Sequence, residues 1–468
     1  MTFDTIPLEE ILAAERPRSS PTRAVQKFLS VFEKLFNGTV VVPRTRLLND
    51  DPELSTISSI ATALQKKGIL NELGRIRIPP DEPQIRMWRA LYDGHQAAGG
   101  ISTSSDVAAA TAAVAETLER AIWKSDRSYA SVTKHGPQSA FRGSFLAPSR
   151  FAGVARSSSE LESLNTASFT WISGVSLDTN EKIWIPAQTV SRAFAEQEPD
   201  TPRIRPIITT GLATGATRTN ALLGGILEII ERDAFIIMWG NQLSLPRIAP
   251  EEFARTSPSL TTLLAQCTRY GLTVQFVRLV TDAPAHVIMA VVSDPRELPP
   301  ITIGMSAHAR ADTAAEKALL EALRARVNAR SRSAKTHKTL EGKHIHGSDR
   351  SLFWADPLHV PQLAFLTTGA LQTLTKEAWE SDSPEAHLQR IVAWCRDAGY
   401  TCASVSLTQS RYNVTPWYVE HVVVPELQPM HYNEAFQTFA GKRMREIPTK
   451  FGFAPRAEPF TTLPHPFV

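Results

Sequence analysis

The stretch TTGLATGATRTNALLGGILEIIERDAFIIMW, residues 209–239, decides how the rest of the chain is interpreted. It opens with small, turn-prone residues and shows a helical pattern from about Thr219. Thirteen of the twenty residues 220–239 are apolar and occupy nearly every side, which predicts a buried helix. The same helix carries Glu228 and Glu231, and buried carboxylates are costly unless they are paired or bind a cation.

One face of this predicted helix is small and polar. At 100° per residue, the residues that share it are Asn220, Gly224, Glu228 and Glu231. A glycine costs about 1 kcal/mol of helix propensity relative to alanine, so the room beside the glutamates should have a use. The face therefore suggests a bound ligand or metal ion. The alternative is that arginines from neighbouring helices neutralise both glutamates.

The composition is that of an ordinary globular protein of one to three domains, with 468 residues of which 43% are hydrophobic. A net charge of +3 is too small to indicate a nucleic acid or a membrane surface as partner. The N-terminus lacks the apolar segment of a signal peptide, and no run reaches 18 apolar residues. Three cysteines without metal-binding spacing fit a reducing compartment, so we expect a cytoplasmic protein.

Helical and strand patterns alternate along the chain without a repeat of fixed period, which predicts a mixed α/β fold with helices packed on mixed sheets. Helical patterns at 24–36 and 58–70, each followed by a strand ended by proline, predict a small N-terminal α/β unit. We assign residues 1–85 to this unit, as a region that docks a partner protein. DNA is not the expected partner, because no helix in it is strongly basic. Residues 86–468 form the larger domain.

The acidic pattern of the buried helix recurs earlier in the chain. An Ala-rich helix at 106–123, after the small-residue loop 95–103, contains the same E-x-x-E-R sequence. Glutamates three residues apart project onto one face of a helix. The residues of the two motifs are Glu116, Glu119 and Arg120 in the first and Glu228, Glu231 and Arg232 in the second.

A third predicted helix, 312–327, adds Glu321 with Lys317 and Arg324 on the same face. Five carboxylates on three helices would suit Mg²⁺, which prefers oxygen ligands and keeps phosphate oxygens in its remaining positions. The sequence has no G-x-x-x-x-G-K-[ST] phosphate loop, so a nucleotide would be held through metal. One E-x-x-E-R is a weak signal, whereas two behind glycine-containing loops are moderately specific.

The segment 324–350 holds eight Arg or Lys against two acidic residues and shows little apolar periodicity. This pattern favours a solvated loop, with a basic flap over phosphates as the alternative. Its histidines, His337, His344 and His346, lack convincing metal-ligand spacing.

These residues give the chain a resemblance to YcaO-domain proteins. The segment 211–235, GLATGATRTNALLGGILEIIERDAF, is similar to the signature helix of that family. The similarity extends through 169–186, 301–326 and 420–429, and the last of these (EHVVVPELQP) resembles a stretch near the C-terminus of azoline-forming members. It covers the chain from about residue 90 to its end.

The resemblance implies that the larger domain is an ATP- and Mg²⁺-dependent enzyme acting on the backbone amide of a ribosomal precursor peptide. In the azoline-forming branch, a Cys, Ser or Thr side chain of the substrate attacks the preceding carbonyl. ATP then phosphorylates the resulting oxyanion, which makes the amide oxygen a leaving group.

The same resemblance implies roles for individual residues. Mg²⁺ and nucleotide binding fall to Glu116, Glu119, Glu228, Glu231 and Glu321. The cations that would orient these carboxylates or contact phosphate are Arg120, Arg232, Arg326 and Lys317. In azoline-forming relatives a Pro-rich tail places the C-terminal carboxylate in the active site, where it is implicated in catalysis. Here that tail ends in Pro464, Pro466 and Val468, so Val468 and Pro466 join Arg232 as expected catalytic residues.

The sequence departs from the family pattern at several positions. The family usually has Ser at Ala112, Glu at Asn220, Gln at Gly224, Arg at Lys317 and Pro at Val468. The expected metal ligands are therefore kept, while several nucleotide contacts are not. Either this branch holds ATP differently or its nucleotide binding is weakened.

The leading hypothesis is a cyclodehydratase subunit that converts Cys, Ser or Thr of a precursor peptide into azolines. A separate ubiquitin-activating-like partner would bind the leader peptide and dock through residues 1–85, and an FMN-dependent azoline dehydrogenase would be a further member. The alternatives are another backbone reaction of the family, thioamide or amidine formation, and a scaffold subunit that has lost affinity for ATP.

Overall fold

The computed structural model describes residues 54–92, 96–130, 132–198, 200–296, 299–333, 345, 347 and 349–467. The interpretations of residues 1–53, of the three histidines in the basic segment and of Val468 therefore lie outside the described residues. Within these residues, no helix combines the length and the apolar character needed to cross a membrane.

Helices and strands alternate through the described part of the chain. Its α-helices are α1 (Ser55–Lys66), α2 (Asp106–Ser125), α3 (Ser158–Thr166), α4 (Arg192–Ala195), α5 (Arg218–Asn241), α6 (Pro250–Ala254), α7 (Pro258–Arg269), α8 (Ala311–Ser333), α9 (Asp349–Phe353), α10 (Pro384–Asp397) and α11 (Arg443–Lys450). Its strands are β1 (Glu72–Arg75), β2 (Arg86–Tyr92), β3 (Gln96–Ser102), β4 (Thr133–Gly136), β5 (Ser144–Phe145), β6 (Phe169–Ser176), β7 (Lys182–Pro186), β8 (Leu212–Gly215), β9 (Arg247–Ile248), β10 (Thr273–Leu279), β11 (His286–Ser293), β12 (Ile301–His308), β13 (Leu371–Gln372), β14 (Ala403–Ser406) and β15 (Tyr418–Val423).

The described strands form three sheets. One has the order β1-β2-β3, a second β12-β11-β10-β9-β13, and a third β5-β7-β6-β14-β15-β8 with β4 paired to β6. Most neighbours are antiparallel, but β5 with β7 and β9 with β13 are parallel. The predicted mixed α/β fold with helices on mixed sheets is confirmed.

The predicted boundary at residue 85 falls inside the first sheet. Strand β1 lies before it and pairs antiparallel with β2, which lies after it. Ile57 and Leu64 of α1 also share one hydrophobic core with Val114 of α2 and Phe169 of β6. The described residues before 85 are therefore built into the same packed body as the residues that follow.

The small-residue segment 95–103, predicted as a loop, is a strand over most of its length. Strand β3 pairs with β2 from Gln96 to Ser102. Its small side chains have a packing reason, because a Cβ at Gly100 would lie 1.8 Å from the carbonyl oxygen of Ala109 in α2. Glycine here lets the strand backbone lie directly against the helix backbone.

Two other strand–helix pairs use the same close approach. A Cβ at Gly304 of β12 would lie 2.3 Å from the carbonyl oxygen of Ala318 in α8. A Cβ at Gly225 of α5 would lie 2.4 Å from the carbonyl oxygen of Gly211, just before β8. Helices α2, α5 and α8 are thus each pressed against the strand that precedes them.

Helix α5 is buried, as its pattern predicted. Seventeen of its 24 residues are buried, and Thr217 caps its first turn by accepting a hydrogen bond from the Asn220 amide. The buried Asp233 is neutralised by Arg443 of α11, whose guanidinium lies 2.7 Å from its carboxylate and also contacts Asp282. This pairing removes the desolvation problem of Asp233.

Substitution of two adjacent glycines in β3 tests the close strand–helix contact. We expect Gly100→Ala to lower the free energy of unfolding by about 1–3 kcal/mol or more, because the new methyl group overlaps the α2 backbone. Gly99→Ala is the matched control, since its Cβ would have its nearest neighbour at 3.8 Å. Urea denaturation followed by circular dichroism measures both, and equal midpoints for the two variants would contradict the packing argument.

Candidate functional site

A recurring hydrogen bond fixes one glutamate on each of α2, α5 and α8. In every case a carboxylate oxygen accepts from a backbone N–H in or next to the preceding strand, 16 or 17 residues earlier. The pairs are Gly99 with Glu116 at 3.0 Å, Gly211 with Glu228 at 3.1 Å, and Met305 with Glu321 at 3.0 Å. The three strand–helix pairs therefore present their carboxylates in the same way.

Each of these glutamates also pairs with an arginine one turn further along its helix. Arg120 lies 3.3 Å from Glu116, Arg232 lies 3.5 Å from Glu228, and Arg324 lies 3.2 Å from Glu321. The E-x-x-E-R motif of the sequence is thus part of a larger unit that occurs three times. Its third copy lacks the second glutamate and carries its arginine at i+3.

The expectation that Arg326 orients the glutamates is wrong. Arg326 is buried elsewhere, where it contacts Glu82 at 2.8 Å and also pairs with Asp294. It donates to the Pro299 carbonyl as well, so its hydrogen bonds are used in holding the β1–β2 connection to α8. Arg324 is the arginine of α8 that pairs with Glu321.

Glu231 connects α5 to the second sheet. Its carboxylate accepts a hydrogen bond from the Ala307 amide of β12 at 3.0 Å and lies 2.8 Å from Arg232. Burial raises the pKa of Glu231 to about 8, despite the opposing charge of Arg232, and Glu321 and Glu228 add to the rise. A carboxyl group with this pKa is largely protonated at neutral pH unless a further cation is bound.

Glu119 is the second glutamate of the E-x-x-E-R motif on α2, as Glu231 is on α5. Burial raises its pKa to about 8, and the negative charges of Glu116 and Glu228 contribute to the increase. These interactions place Glu119 beside glutamates of both α2 and α5. The five predicted carboxylates thus form one acidic group in which the local cations do not neutralise every charge.

The acidic group borders a cavity of about 370 Å³, which we call the glutamate cleft. Its wall includes Glu228, Glu231 and Glu321, with the cations Arg232, Arg324 and Lys317 beside them. The volume is in the usual range for small-molecule sites. Burial lowers the pKa of Lys317, so its ammonium group is poorly hydrated and suited to an anion. The arginines that pair with these glutamates stand on the same helices, not on neighbouring ones as the alternative hypothesis stated, and those of α5 and α8 line a cavity.

The spacing of the carboxylates decides how cations could be held. Among the described residues, no three of the five glutamates have ligand oxygens all within 4.8 Å of one another. A single ion enclosed by three of them therefore does not fit this geometry. Ions that each bind one or two carboxylates and share phosphate oxygens do fit it, which is the usual coordination of Mg²⁺ with a nucleotide.

The small residues near the glutamates have packing roles as well. A Cβ at Gly224 would lie 3.3 Å from the Cβ of Ala213 in β8, and Gly225 lies against Gly211. Ala112 borders the cleft, whereas Asn220 is exposed at the start of α5. The space beside the two glycines, which was predicted to hold a ligand, is thus partly filled by the backbone and side chains of β8 and the residue before it.

The C-terminal tail reaches Arg232. The indole N–H groups of Trp239 and Trp354 donate to the carbonyls of Leu463 (3.3 Å) and Pro464 (3.0 Å). The ring of Phe467 then lies 4.4 Å from the guanidinium carbon of Arg232, while Pro466 is buried before it. The structure therefore brings Phe467, the residue after Pro466, onto Arg232, and Val468 follows outside the described residues.

Several residues near the site were missed in the sequence analysis. Tyr432 interacts electrostatically with both Arg120 and Arg232, and Phe467 covers Arg232. The H-x-x-E sequence of His431 and Glu434 was a signal that could have drawn attention to this region. Nothing in the sequence connects these residues to the motifs on α2 and α5, because the connection is made by the fold.

Comparison with known proteins gives a consistent result. The family model described as YcaO cyclodehydratase, ATP- and Mg²⁺-binding, matches residues 102–428. A Methanothermobacter thermautotrophicus protein described as uncharacterised is 28% identical over 173 residues, which is 36% of this chain and 43% of that protein.

Solved structures share the fold at low identity. A heterocyclase in complex with substrate and cofactor has a TM-score of 0.67 and 17% identity, over 92% of this chain and 60% of that one. The YcaO of Methanopyrus kandleri bound with AMPPCP and Mg²⁺ has a TM-score of 0.59 and 20% identity, over 84% of this chain and 95% of that one. A chain of the E. coli microcin synthetase McbBCD complex with pro-MccB17 bound has a TM-score of 0.59 and 12% identity, over 79% of this chain and 91% of that one. The chain spans only 60% of the heterocyclase and 43% of the curated relative.

The raised pKa values of Glu119 and Glu231 predict a pH dependence of metal binding. Because Mg²⁺ binds the deprotonated form, protons must leave, and we expect the affinity for Mg²⁺ with ATP to rise at least about tenfold between about pH 6 and pH 8. Above the pKa of about 8 the affinity should level off. Calorimetry in buffers of different ionisation enthalpy measures the released protons. Glu119→Gln should release fewer protons on binding. An affinity for Mg²⁺ with ATP that does not change with pH would show that Glu119 and Glu231 are not protonated at neutral pH.

Arg324 and Arg326 form a matched pair for testing the corrected assignment. Arg324→Met should weaken binding of Mg²⁺ and ATP about tenfold, because it removes a cation from the cleft, and should change stability little. Arg326→Lys should lower the free energy of unfolding by about 3 kcal/mol and leave nucleotide affinity unchanged. Calorimetric titration and urea denaturation of both variants measure the two effects. The reverse pattern would restore the original role of Arg326.

Proposed function

The chain belongs to the YcaO cyclodehydratase family, and on that premise we propose that it is the ATP- and Mg²⁺-dependent subunit that forms azolines in a ribosomal precursor peptide. The observation that supports this proposal best is the glutamate cleft, where Glu228 and Glu231 of α5 and Glu321 of α8 lie with Arg232, whose guanidinium is covered by Phe467 of the C-terminal tail. The fold is shared with a heterocyclase whose structure contains substrate and cofactor.

In the proposed site, Glu116, Glu119, Glu228, Glu231 and Glu321 hold Mg²⁺. Arg120, Arg232, Arg324 and Lys317 contact phosphate oxygens or fix the carboxylates that bind metal. In three of these glutamates a backbone N–H holds one carboxylate oxygen and an arginine pairs with the other, so a metal ion would share that second oxygen with the arginine or displace it. Bound Mg²⁺ would neutralise the transferring phosphoryl group. The chain itself contributes positioning and fixed charges, which are the main protein contributions to phosphoryl transfer.

The proposed reaction balances as the loss of one water per ring. The thiol or hydroxyl of the substrate residue bonds to the preceding carbonyl carbon and gives up its proton. The carbonyl oxygen accepts the γ-phosphoryl group of ATP, which releases ADP, and this oxygen then leaves as phosphate while the amide nitrogen gives up its proton and the C=N bond forms. We assign Arg232, which is covered by Phe467, to the stabilisation of the oxyanion and its phosphate, with Pro466 positioning the tail before Phe467. The tail carboxylate of Val468 is proposed as the proton acceptor.

Partner proteins are part of the proposal. The E. coli relative is a synthetase complex solved with its pro-peptide. We propose that a ubiquitin-activating-like partner supplies leader binding for this chain and docks through residues 1–85, and that an FMN-dependent dehydrogenase acts on the azolines. This assembly would work in the cytoplasm, where precursor peptides are made.

Reconstitution tests the function. The chain, its leader-binding partner and a precursor peptide containing Cys, Ser and Thr are incubated with ATP and Mg²⁺, and the product is weighed by mass spectrometry. We expect loss of one water per ring, reduced on the order of 100-fold by Glu228→Gln because a metal ligand is lost. Glu380→Gln is the matched control, since Glu380 binds His286 away from the cleft.

Other outcomes of this experiment have distinct meanings. A sulfide-dependent mass gain, or water loss that joins an amine to the backbone, would replace azoline formation by thioamide or amidine formation. If calorimetry detects no binding of ATP with Mg²⁺, either with or without the partner, the result would support the alternative that the chain is a scaffold subunit without affinity for ATP. That result would agree with the departures at Asn220 and Gly224.

A further inference from the structure

A buried group of polar side chains lies beside the C-terminal tail and outside the glutamate cleft. It consists of Arg350, His431, Glu434 and His465, which we call the tail cluster. The first, second and fourth are 0% exposed, and Glu434 is 8% exposed. Four polar groups are costly to bury unless their hydrogen bonds are satisfied, so their arrangement needs a structural reason.

The hydrogen bonds of the tail cluster determine its protonation. Glu434 accepts from Arg350 at 2.8 Å and from Nε2 of His431 at 3.0 Å. Nδ1 of His431 is left to accept from the Thr438 amide at 3.4 Å. His465 donates through Nε2 to the carbonyl of His431 at 2.8 Å, and Arg350 donates to the same carbonyl at 3.0 Å. The His431 carbonyl is thus the point at which the tail joins the rest of the cluster.

A metal site is the other interpretation of these residues. Ligand atoms of His431, Glu434 and His465 lie within 4.8 Å of one another. However, the guanidinium of Arg350 already neutralises Glu434, and the Nε2 proton of His431 lies between the two potential ligands. A cation would have to displace both, which is why we favour a hydrogen-bonded cluster.

The tail cluster is connected to Arg232 through the tail itself. His465 stands two residues before Phe467, whose ring covers Arg232 at 4.4 Å. Phe235 of α5 packs against the rings of both His465 and Phe467, with centroid distances of 5.5 and 5.8 Å. Anchoring His465 therefore limits where Phe467 can lie, because only Pro466, with its restricted backbone, separates them.

We propose that the tail cluster positions the C-terminal tail, with His465 as the attachment point that holds Phe467 against Arg232. Arg350, His431, Glu434 and His465 are positioning residues in this assignment, since none of them borders the glutamate cleft. The consequence for activity rests on the proposed function. The consequence for the tail itself does not.

Carboxypeptidase A tests the position of the tail in the full chain. Cleavage of the Phe467–Val468 bond requires Phe467 to leave Arg232, so we expect slow release of Val468 from the wild type. His465→Phe keeps the aromatic contact with Phe235 but loses the hydrogen bond to His431, and should release Val468 at least about tenfold faster. His465→Gln keeps a donor at similar reach and should release it at nearly the wild-type rate.

Two further variants control for indirect effects. Glu434→Gln should also release Val468 faster than the wild type. Because this variant leaves the tail sequence unchanged, a faster release cannot come from a changed preference of the protease. It also serves if His465→Phe does not fold. His387→Phe is the matched control, because His387 is a buried histidine that donates to the Pro284 carbonyl at 2.7 Å in another part of the fold. This variant should keep wild-type release.

The kinetic prediction separates positioning from a structural role. In the reconstituted reaction, His465→Phe should lower kcat about tenfold with an unchanged KM for ATP, and His465→Gln should restore most of kcat. Release of Val468 from folded His465→Phe and Glu434→Gln at wild-type rates would overturn the proposal, as would stoichiometric zinc in the purified protein. If no reaction is found but release follows the prediction, the proposed function fails and the positioning role stands.

Discussion

Three backbone N–H groups, each in or next to the strand that precedes a helix, hold the carboxylates on which the glutamate cleft depends. Ionised carboxylates near a protein interior are stable only with hydrogen bonds and nearby positive charge. The strand supplies the hydrogen bond and the next helical turn supplies an arginine. Both require strand and helix backbones in direct contact, and this is the reason for glycine at Gly100, Gly225 and Gly304. The glycine packing and the acidic site are therefore one structural arrangement.

The sequence predicted the parts of this arrangement that follow from helical spacing. The buried helix and the two E-x-x-E-R faces depend only on residues close in sequence, and the structure has both. Helical spacing also placed Arg324 on the face of Glu321, whereas Arg326 was assigned from the resemblance, and that assignment was wrong. A residue at i+5, such as Arg326, lies roughly 140° from Glu321 around a helix, whereas Arg324 at i+3 lies roughly 60° away.

Other features depend on pairing between distant segments and could not be predicted in this way. The segment 95–103 resembles a loop because alanine and glycine have low strand propensity, yet β2 gives it strand partners. The boundary at residue 85 was placed at a proline-containing segment, which proved to be the connection between two paired strands. The tail is placed by two tryptophans and a histidine that precede it by 34 to 224 residues. No local pattern encodes these contacts.

The departures from the family pattern can be weighed by what the fold does at each position. Gly224 faces Ala213, so a larger side chain at 224 would have to push against β8, and the two small residues fit one another. Asn220 lies exposed at the helix start and leaves the acidic group untouched. Lys317 keeps a positive charge at the cleft, though as a point charge rather than a planar fork. Five glutamates face four local cations, Arg120, Arg232, Arg324 and Lys317, which leaves an excess of negative charge if all are ionised, and burial, to which neighbouring glutamates add, raises the pKa of Glu119 and Glu231 to about 8. A cleft that had lost its cation would be expected to lose this excess charge as well, because uncompensated carboxylates only destabilise a fold. Its retention favours a site that still binds divalent metal.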